Sequence, residues 1–138
     1  MTQFVRKASE AKSEPVGAGT DTWKQVLIGP EEGPNFQLRR FRIEPAGGMP
    51  LHTNSVEHEQ YVLGGRARVR IGDDEFDVGP DDVVLIPAGV PHSYATVGKE
   101  PFEFLCIVPN GPDRIELSEA QNANPGDDPE VDPEQRTS

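Results

Sequence analysis

Short apolar-rich stretches alternate with turn sequences along most of the chain. Each stretch spans four to eight residues and is followed by a cluster of Gly, Pro, Asp or Asn, such as GPEEGPN, GDD or PNGP. Stretches of this kind at spacings of about ten residues are typical of an all-β sandwich or barrel. The predicted strands cover residues 23–28, 36–43, 58–63, 67–71, 75–78, 83–86, 92–96 and 102–108.

The alternation of side chains within these strands predicts which of them face the core. In RARVRI, residues 66–71, it places the apolar side chains inward and the three arginines in water. The same rule puts three further sets on one face each: His58, Gln60 and Val62; His92, Tyr94 and Thr96; Phe102, Phe104, Cys106 and Val108. The strand FQLRRFRI, residues 36–43, has arginine on both faces. Either a bulge shifts its register or an arginine points inward.

Composition divides the 138-residue chain into one folded domain with a segment on each side. Residues 1–21 are polar and punctuated by Pro and Gly, which indicates a flexible N-terminal arm. Residues 22–117 hold the predicted strands and form the expected barrel domain. Residues 118–138 carry six acidic residues, one Arg and three Pro but only three apolar side chains, so we expect a disordered acidic tail.

The net charge of −11 limits the classes of partner, because it disfavours nucleic acid and anionic membranes. No apolar run approaches the roughly 18 residues of a membrane-spanning helix, and the N-terminus lacks the apolar core of a signal peptide. The single cysteine, Cys106, excludes an internal disulfide and is expected as a small buried core residue. These features predict a soluble cytoplasmic protein. The acid-rich, Lys-poor composition suits either a high-salt cytoplasm or an ordinary acidic protein.

All three histidines of the chain lie beside predicted strands: His52 and His58 in HTNSVEHEQ, and His92 in IPAGVPHSY. Neutral imidazole is the most common protein ligand of divalent transition metals. A β-fold that brings the two segments together could therefore place all three on one metal ion. The alternative is three unligated polar residues at strand ends.

The two histidine segments resemble the two motifs of the cupin superfamily, G-x5-H-x-H-x3,4-E-x6-G and G-x5-P-x-G-x2-H-x3-N. The segment PAGVPH, which ends at His92, is similar to the second motif. His52 corresponds to the first histidine of motif one, and His58, followed after six residues by Gly65, corresponds to its E-x6-G element with histidine at the glutamate position. The resemblance extends over about residues 24–112 and implies a single-domain cupin barrel, a jelly roll also described as a double-stranded β-helix.

Three positions depart from the cupin motifs: Asn54 replaces the second motif-one histidine, Asp81 replaces a glycine of motif two and Thr96 replaces its asparagine. An amide oxygen is a weaker ligand than imidazole, so Asn54 is expected to bind a metal loosely or to hydrogen-bond a metal-bound water. A one-residue shift would bring Glu59 to the glutamate position, but it would also turn the strand face over. We therefore expect His58 to be the ligand and Glu59 to lie on the opposite face.

The resemblance implies one divalent transition metal ion (Mn, Fe, Zn, Ni or Cu) bound by His52, Asn54, His58 and His92. Three neutral imidazoles leave the charge of the ion uncompensated, so its open positions should attract an anionic oxygen of a small organic substrate. Cupins of this kind imply a mononuclear metal enzyme of the dioxygenase, decarboxylase, isomerase or lyase type. The alternatives are a metal- or ligand-binding domain without turnover and a degenerate cupin that has lost its metal.

Tyr94 and Gln60 are the candidate catalytic residues, because both share a face with a histidine. The alternative for Tyr94 is a core aromatic, and for Gln60 a hydrogen bond to the backbone at the rim. Arg40 could clamp a substrate carboxylate if it faces inward, and it would otherwise be solvated.

The outer face of the predicted sheet carries Tyr61, Leu63, Leu105 and Ile107, on the side away from the cavity. Apolar residues there need cover in a highly charged protein. Because small cupins commonly pair, we expect a homodimer. Cover by loops of the same chain is the alternative.

Overall fold

The computed structural model describes residues 3–112 and 115–117, and within them it shows β-strands and one 3₁₀ turn, Ala8–Glu10, but no α-helix. The strands are β1 Ser13–Pro15, β2 Thr20–Ile28, β3 Phe36–Asn54, β4 His58–Gly64, β5 Arg66–Ile71, β6 Asp74–Val78, β7 Val83–Ile86, β8 His92–Val97, β9 Phe102–Pro109 and β10 Ile115–Leu117. Every stretch predicted as a strand is a strand. The all-β prediction is confirmed.

The described strands form a single sheet that curls into the jelly-roll barrel of the predicted class. The main path runs β6-β5-β8-β3-β9-β4-β7, with β1 beside β2, β2 also beside β3, and β10 beside β3. Most pairs join strands that are distant along the chain, such as β3 with β9 and β5 with β8. Within the residues that the structure describes, no helix has the length and apolar character needed to cross a membrane.

Strand β3 is much longer than predicted, because the sequence EPAGG, expected to be a turn, continues the strand to Asn54. Ala46 takes a left-handed φ of 66°, and beyond it the chain passes into the other half of the barrel. A Cβ at Gly48 would meet the carbonyl oxygen of Tyr94 in β8. This glycine therefore serves a close approach of two strands and does not reverse the chain.

The core contains the side chains that the alternation places inward. In β9, the four inward residues are at most 3% exposed, and in β5 the inward Ala67 and Val69 are each 1% exposed. Stacked aromatic rings cross the interior, with Phe41 and Phe104 at 5.2 Å and Phe104 and Tyr94 at 5.5 Å between ring centroids. Hydrophobic burial of these rings is the main stabilising contribution of the core.

The ambiguous strand 36–43 resolves in favour of an inward arginine. Its pairing with β9 runs without a shift from Phe36 to Ile43. Arg39 is 2% exposed on the same face as Phe41 and Ile43, whereas Arg40 faces outward and forms an ion pair with Glu103 at 3.0 Å.

Both ends of the described chain pack on the barrel. In the segment interpreted as an arm, β1 pairs with β2, and Val16 belongs to the core. At the other end β10 pairs with the second half of β3, where Ile115 is fully buried. The predicted acidic tail, residues 118–138, lies outside the described residues.

Two truncations separate the role of β10 from that of the acidic tail. A chain that ends at Leu117 keeps β10, and we expect its thermal unfolding to match that of the full chain, because the removed segment carries no core-forming side chains. A chain that ends at Pro112 loses Ile115 from the core, which should cost on the order of 2–4 kcal/mol of stability. Urea unfolding followed by circular dichroism measures both. A large loss in the first truncation would show that the tail packs on the barrel or on a partner.

Candidate metal centre

A narrow pocket inside the barrel gathers the chemically active side chains. Its walls come from β3, β4, β8 and β9: Phe41, Ile43, Met49, His52, Asn54, His58, Gln60, His92, Tyr94, Phe104 and Cys106. The space open to the centres of water molecules is about 20 Å³, enough for roughly one or two waters. All four predicted metal ligands line this pocket, and each is at most 4% exposed.

An irregularity in β3 aims successive side chains at the pocket. The register of β3 with β8 shifts between Met49 and His52, so that Met49 and His52 both point inward although they are three residues apart. Asn54 follows His52 on the same face. His52 is the cross-strand partner of His92, and the two rings lie 4.2 Å apart between centroids.

The turn before β8 sets the position of His92. Gly89 has φ of +79°, which favours glycine, and its amide donates to the carbonyl oxygen of Asn54 at 2.8 Å. This hydrogen bond connects the turn of the second motif to the end of β3, which carries the histidine of the first motif. His58 comes from the start of β4, and its ring centroid lies 6.2 Å from that of His92.

Each imidazole is oriented by a contact at Nδ1. His52 Nδ1 lies 2.6 Å from the carbonyl oxygen of Pro50, and His92 Nδ1 lies 2.9 Å from that of Val90. Because a carbonyl only accepts, these rings carry hydrogen on Nδ1 when neutral and keep a lone pair on Nε2. The Nε2 atom of His92 is buried and has no hydrogen-bond partner within the described part of the chain.

The electrostatics keep His92 neutral. Burial is the main cause that lowers the pKa of His92 to about 3, and the nearby His52 adds to the shift against the hydrogen bond to Val90. A neutral imidazole with a free lone pair is the state that binds a metal. The donor types and the orientation at His52 and His92 therefore fit a divalent transition metal ion.

The ring positions do not yet form a closed ligand shell. Within residues 3–112 and 115–117, no group of three or more His, Cys, Asp or Glu side chains is arranged to hold a metal ion as it stands. The wider separation is that between His58 and His92. All three rings nevertheless border one pocket.

Tyr94 and Gln60, the candidate catalytic residues, are in direct contact. Gln60 Nε2 donates to the Tyr94 hydroxyl oxygen at 2.8 Å and lies 3.7 Å from Cys106 Sγ. Burial raises the pKa of Tyr94 far above its usual value. Tyr94 therefore stays protonated, and it can act as a hydrogen-bond donor but not as a base.

Cys106 is fully buried, as expected, but it also borders the pocket. Its Sγ lies 3.4 Å from His58 Nδ1 and 3.3 Å from the Arg39 guanidinium. Burial raises the pKa of the thiol, but the hydrogen bonds with His58 and Arg39 and the charges of both residues together lower it by more, so the pKa of Cys106 lies below its usual value. Arg39 was not among the residues predicted for the site. Its signal in the sequence was the presence of arginine on both faces of strand 36–43.

The other departures from the cupin motifs are structural. Asp81 has a left-handed φ of 71°, where glycine is the easier residue, and its carboxylate accepts a hydrogen bond from Tyr61 at 2.7 Å. Thr96 donates to the carbonyl oxygen of Ile43 at 3.1 Å. Glu59 is exposed on the opposite face of β4 from His58, as the register argument predicted.

A larger groove lies beside β6 and β7, with about 580 Å³ on the same measure. Its lining is apolar apart from Asp77, Asp81 and Asp82, and it contains neither His nor Cys. By volume alone, this groove would be the better candidate for a ligand-binding site. We take the histidine pocket as the candidate site because its polar groups converge and are buried.

Comparison with known proteins agrees with this fold and pocket. The sequence profile of the cupin domain family, Cupin_2, matches residues 39–108, about half of the chain, and spans the residues that line the pocket. The chain therefore belongs to the cupin family. The structure of the polyketide cyclase RemF from Streptomyces resistomycificus is similar, with a TM-score of 0.73 and 31% identity over 83% of this chain and 84% of that one.

Two curated relatives are longer proteins. The xanthan biosynthesis protein XanB of Xanthomonas campestris is 28% identical in an alignment of length 112 that covers 73% of this chain and 24% of XanB. The oxalate decarboxylase OxdC of Bacillus subtilis is 32% identical in an alignment of length 82 that covers 56% of this chain and 21% of OxdC. The chain thus spans about a quarter or less of the length of these two relatives.

Proposed function

We propose that this cupin binds one divalent transition metal ion through His52, His58 and His92, with Asn54 as a fourth, weaker ligand, and that it acts on a small anionic organic molecule. The observation that carries the proposal is the shared orientation of His52 and His92, whose Nδ1 atoms both meet backbone carbonyls, so that each neutral ring has its lone pair on Nε2. A bound metal would supply Lewis acidity toward an oxygen of the substrate.

The charge of the pocket supports an anionic substrate. Among the described residues, none of those that line it is Asp or Glu. Neutral ligands leave the positive charge of a divalent ion uncompensated in a site of low polarity, so an anionic oxygen is the favoured occupant of an open position. The substrate would also meet apolar walls formed by Phe41, Met49 and Phe104.

Tyr94 and Gln60 have complementary roles in this proposal. Because the Tyr94 oxygen accepts a hydrogen bond from Gln60, its own proton is available for another acceptor. Tyr94 would donate this hydrogen bond to a substrate oxygen that gains negative charge during the reaction. Gln60 would be the positioning residue that orients the hydroxyl.

The names of the relatives are consistent with such chemistry. One relative is a polyketide cyclase and another is an oxalate decarboxylase. Oxalate is a small dianion, and both names describe reactions of oxygen-rich organic substrates. For this chain we propose the broad class, a mononuclear metal enzyme of the decarboxylase, isomerase, lyase or dioxygenase type.

The metal assignment is tested by Co²⁺ titration of protein purified without a histidine tag. We expect the wild-type chain to bind one Co²⁺, His92→Ala to lose measurable binding, and Asn54→His to bind more tightly, because imidazole is a stronger ligand than an amide. Thr53→His is the matched control, because it adds a histidine next to Asn54 on the other face of β3. Absence of binding by the wild-type chain would refute the proposal. Equal affinity of Asn54→His and wild type would remove Asn54 from the ligand set.

The anionic preference is tested with oxalate and its neutral isostere oxamide. The Co²⁺-loaded protein should bind oxalate in calorimetry and should bind oxamide weakly. Tyr94→Phe should weaken oxalate binding at least tenfold, because a hydrogen bond to a charged group contributes roughly 1.5–3 kcal/mol. Tyr61→Phe removes a hydroxyl from the outer face and should have no effect. Equal binding of oxalate and oxamide would exclude charge as the basis of recognition.

A second candidate function is metal or ligand binding without turnover. Two observations favour it: the pocket is narrow, and within the part of the chain that the structure describes no carboxylate lines it to act as a general acid or base. Depletion of a supplied substrate by the metal-loaded protein would decide for the enzyme.

We also propose that a second copy of this chain covers the outer face of the barrel. Tyr61 pairs across strands with Leu105 and Val83, and all three point away from the pocket. Val83 is 74% exposed and Leu85 is 55% exposed. An exposed apolar face of this kind favours association with an identical face. High salt screens the repulsion between two chains that each have a net charge of −11.

Light scattering in high salt tests the dimer. We expect a mass of twice 15.1 kDa for the wild-type chain and of 15.1 kDa for Val83→Glu, because the new charge would be buried in the interface. The matched control is Val97→Glu on β8, at a site that is 49% exposed and outside this face. A wild-type mass of 15.1 kDa would refute the proposal.

A further inference from the structure

The interior of the barrel contains a buried positive charge that the proposed function does not use. Arg39 is 2% exposed, and its Nε atom has no hydrogen-bond partner within the described residues. No carboxylate in that part of the chain accepts from its guanidinium, which instead contacts Cys106 Sγ at 3.3 Å and lies over the ring of Phe41 at 5.0 Å from the centroid. Burying a charged arginine costs free energy unless the guanidinium is paired and hydrogen-bonded.

Three polar nitrogens converge on the sulfur of Cys106. Arg39 approaches at 3.3 Å, His58 Nδ1 at 3.4 Å and Gln60 Nε2 at 3.7 Å. The residues stand side by side in the sheet, since Cys106 of β9 is the cross-strand partner of both Gln60 and Arg39. Arginine and the Gln60 amide nitrogen can only donate, so the sulfur is an acceptor toward both of them.

His58 therefore differs from the other two histidines in what lies behind it. His52 and His92 are held at Nδ1 by backbone carbonyls, which any sequence would supply. The Nδ1 contact of His58 is with a side-chain sulfur from a strand that is 48 positions away in the chain. The orientation of His58 thus depends on particular side chains.

We propose that Cys106 and Arg39 are positioning residues for His58: the sulfur accepts the Nδ1 hydrogen of His58, and Arg39, which donates to the same sulfur, holds it in place behind the ring. The proposal rests on the proposed metal function, in which His58 must present Nε2 to the ion. If Cys106 instead donated its S–H hydrogen to Nδ1, the ring hydrogen would sit on Nε2 and block ligation.

The tautomer of His58 can be read directly in the metal-free protein. Long-range ¹H–¹⁵N spectra of the imidazoles contain only three rings, because the chain has three histidines. We expect the Nδ1–H form for His58 in the wild type, a mixture of both tautomers in Cys106→Ala, and recovery of the Nδ1–H form in Cys106→Ser, whose hydroxyl oxygen also accepts. The rings of His52 and His92 are internal controls that should not change. A wild-type His58 in the Nε2–H form, or an unchanged tautomer in Cys106→Ala, would overturn the proposal.

Co²⁺ titration gives a second readout that a merely structural role would not produce. Arg39→Met and Cys106→Ala should each bind Co²⁺ about 10–100-fold more weakly than wild type, as is usual when a residue that orients a ligand is lost. Arg40→Met removes the neighbouring outward charge, and Val62→Ala opens the core on the same strand as His58; neither should change the affinity. Unchanged affinity in both test variants would also overturn the proposal. Failure of the wild type to bind Co²⁺ would refute the metal function itself, and the tautomer measurement would still report on His58.

Discussion

Strand β3 is hydrogen-bonded to β2, β8, β9 and β10, and the rest of the barrel depends on this one strand. Its first half pairs with β2 and β9, and after Ala46 its second half pairs with β8 and β10, with one further pair between Gly48 and Thr20 of β2. The two halves of the sheet are therefore joined by covalent chain and not only by packing. Because the shift in register lies in the second half, the same strand that joins the barrel also aims His52 and Asn54 at the pocket.

A barrel interior lined by imidazoles, an amide and a guanidinium would be unstable without partners for these groups. The carbonyl oxygens of Pro50 and Val90 provide partners for His52 and His92 without using any other side chain. They satisfy one nitrogen of each ring and leave the other toward the pocket. The polar groups are thus stabilised in the orientation that makes them useful as ligands, which is the physical basis for treating this interior as a site.

The sequence predicted the strands and their inward faces wherever a single local pattern, the alternation of side chains, repeats along a strand. Alternation identified the buried face of β5 and β9, and it separated His58 from Glu59. The prediction failed where the local composition and the tertiary packing require different structures. EPAGG has the composition of a turn, but its second glycine, Gly48, allows β3 and β8 to approach, a need that is visible only when β8 is in place. Arg39 violated the expected pattern, and the violation marked a residue next to the candidate site.

The sequence by itself determined the strands, their inward faces and the set of candidate ligands, because side-chain alternation and turn composition act over a few residues. Only the tertiary structure decided which strands are neighbours. It placed Cys106 behind His58, 48 positions away, and Arg39 behind Cys106, 67 positions away. Such contacts depend on the register between distant strands. That register is set by packing across the whole barrel, and no short stretch of sequence contains it.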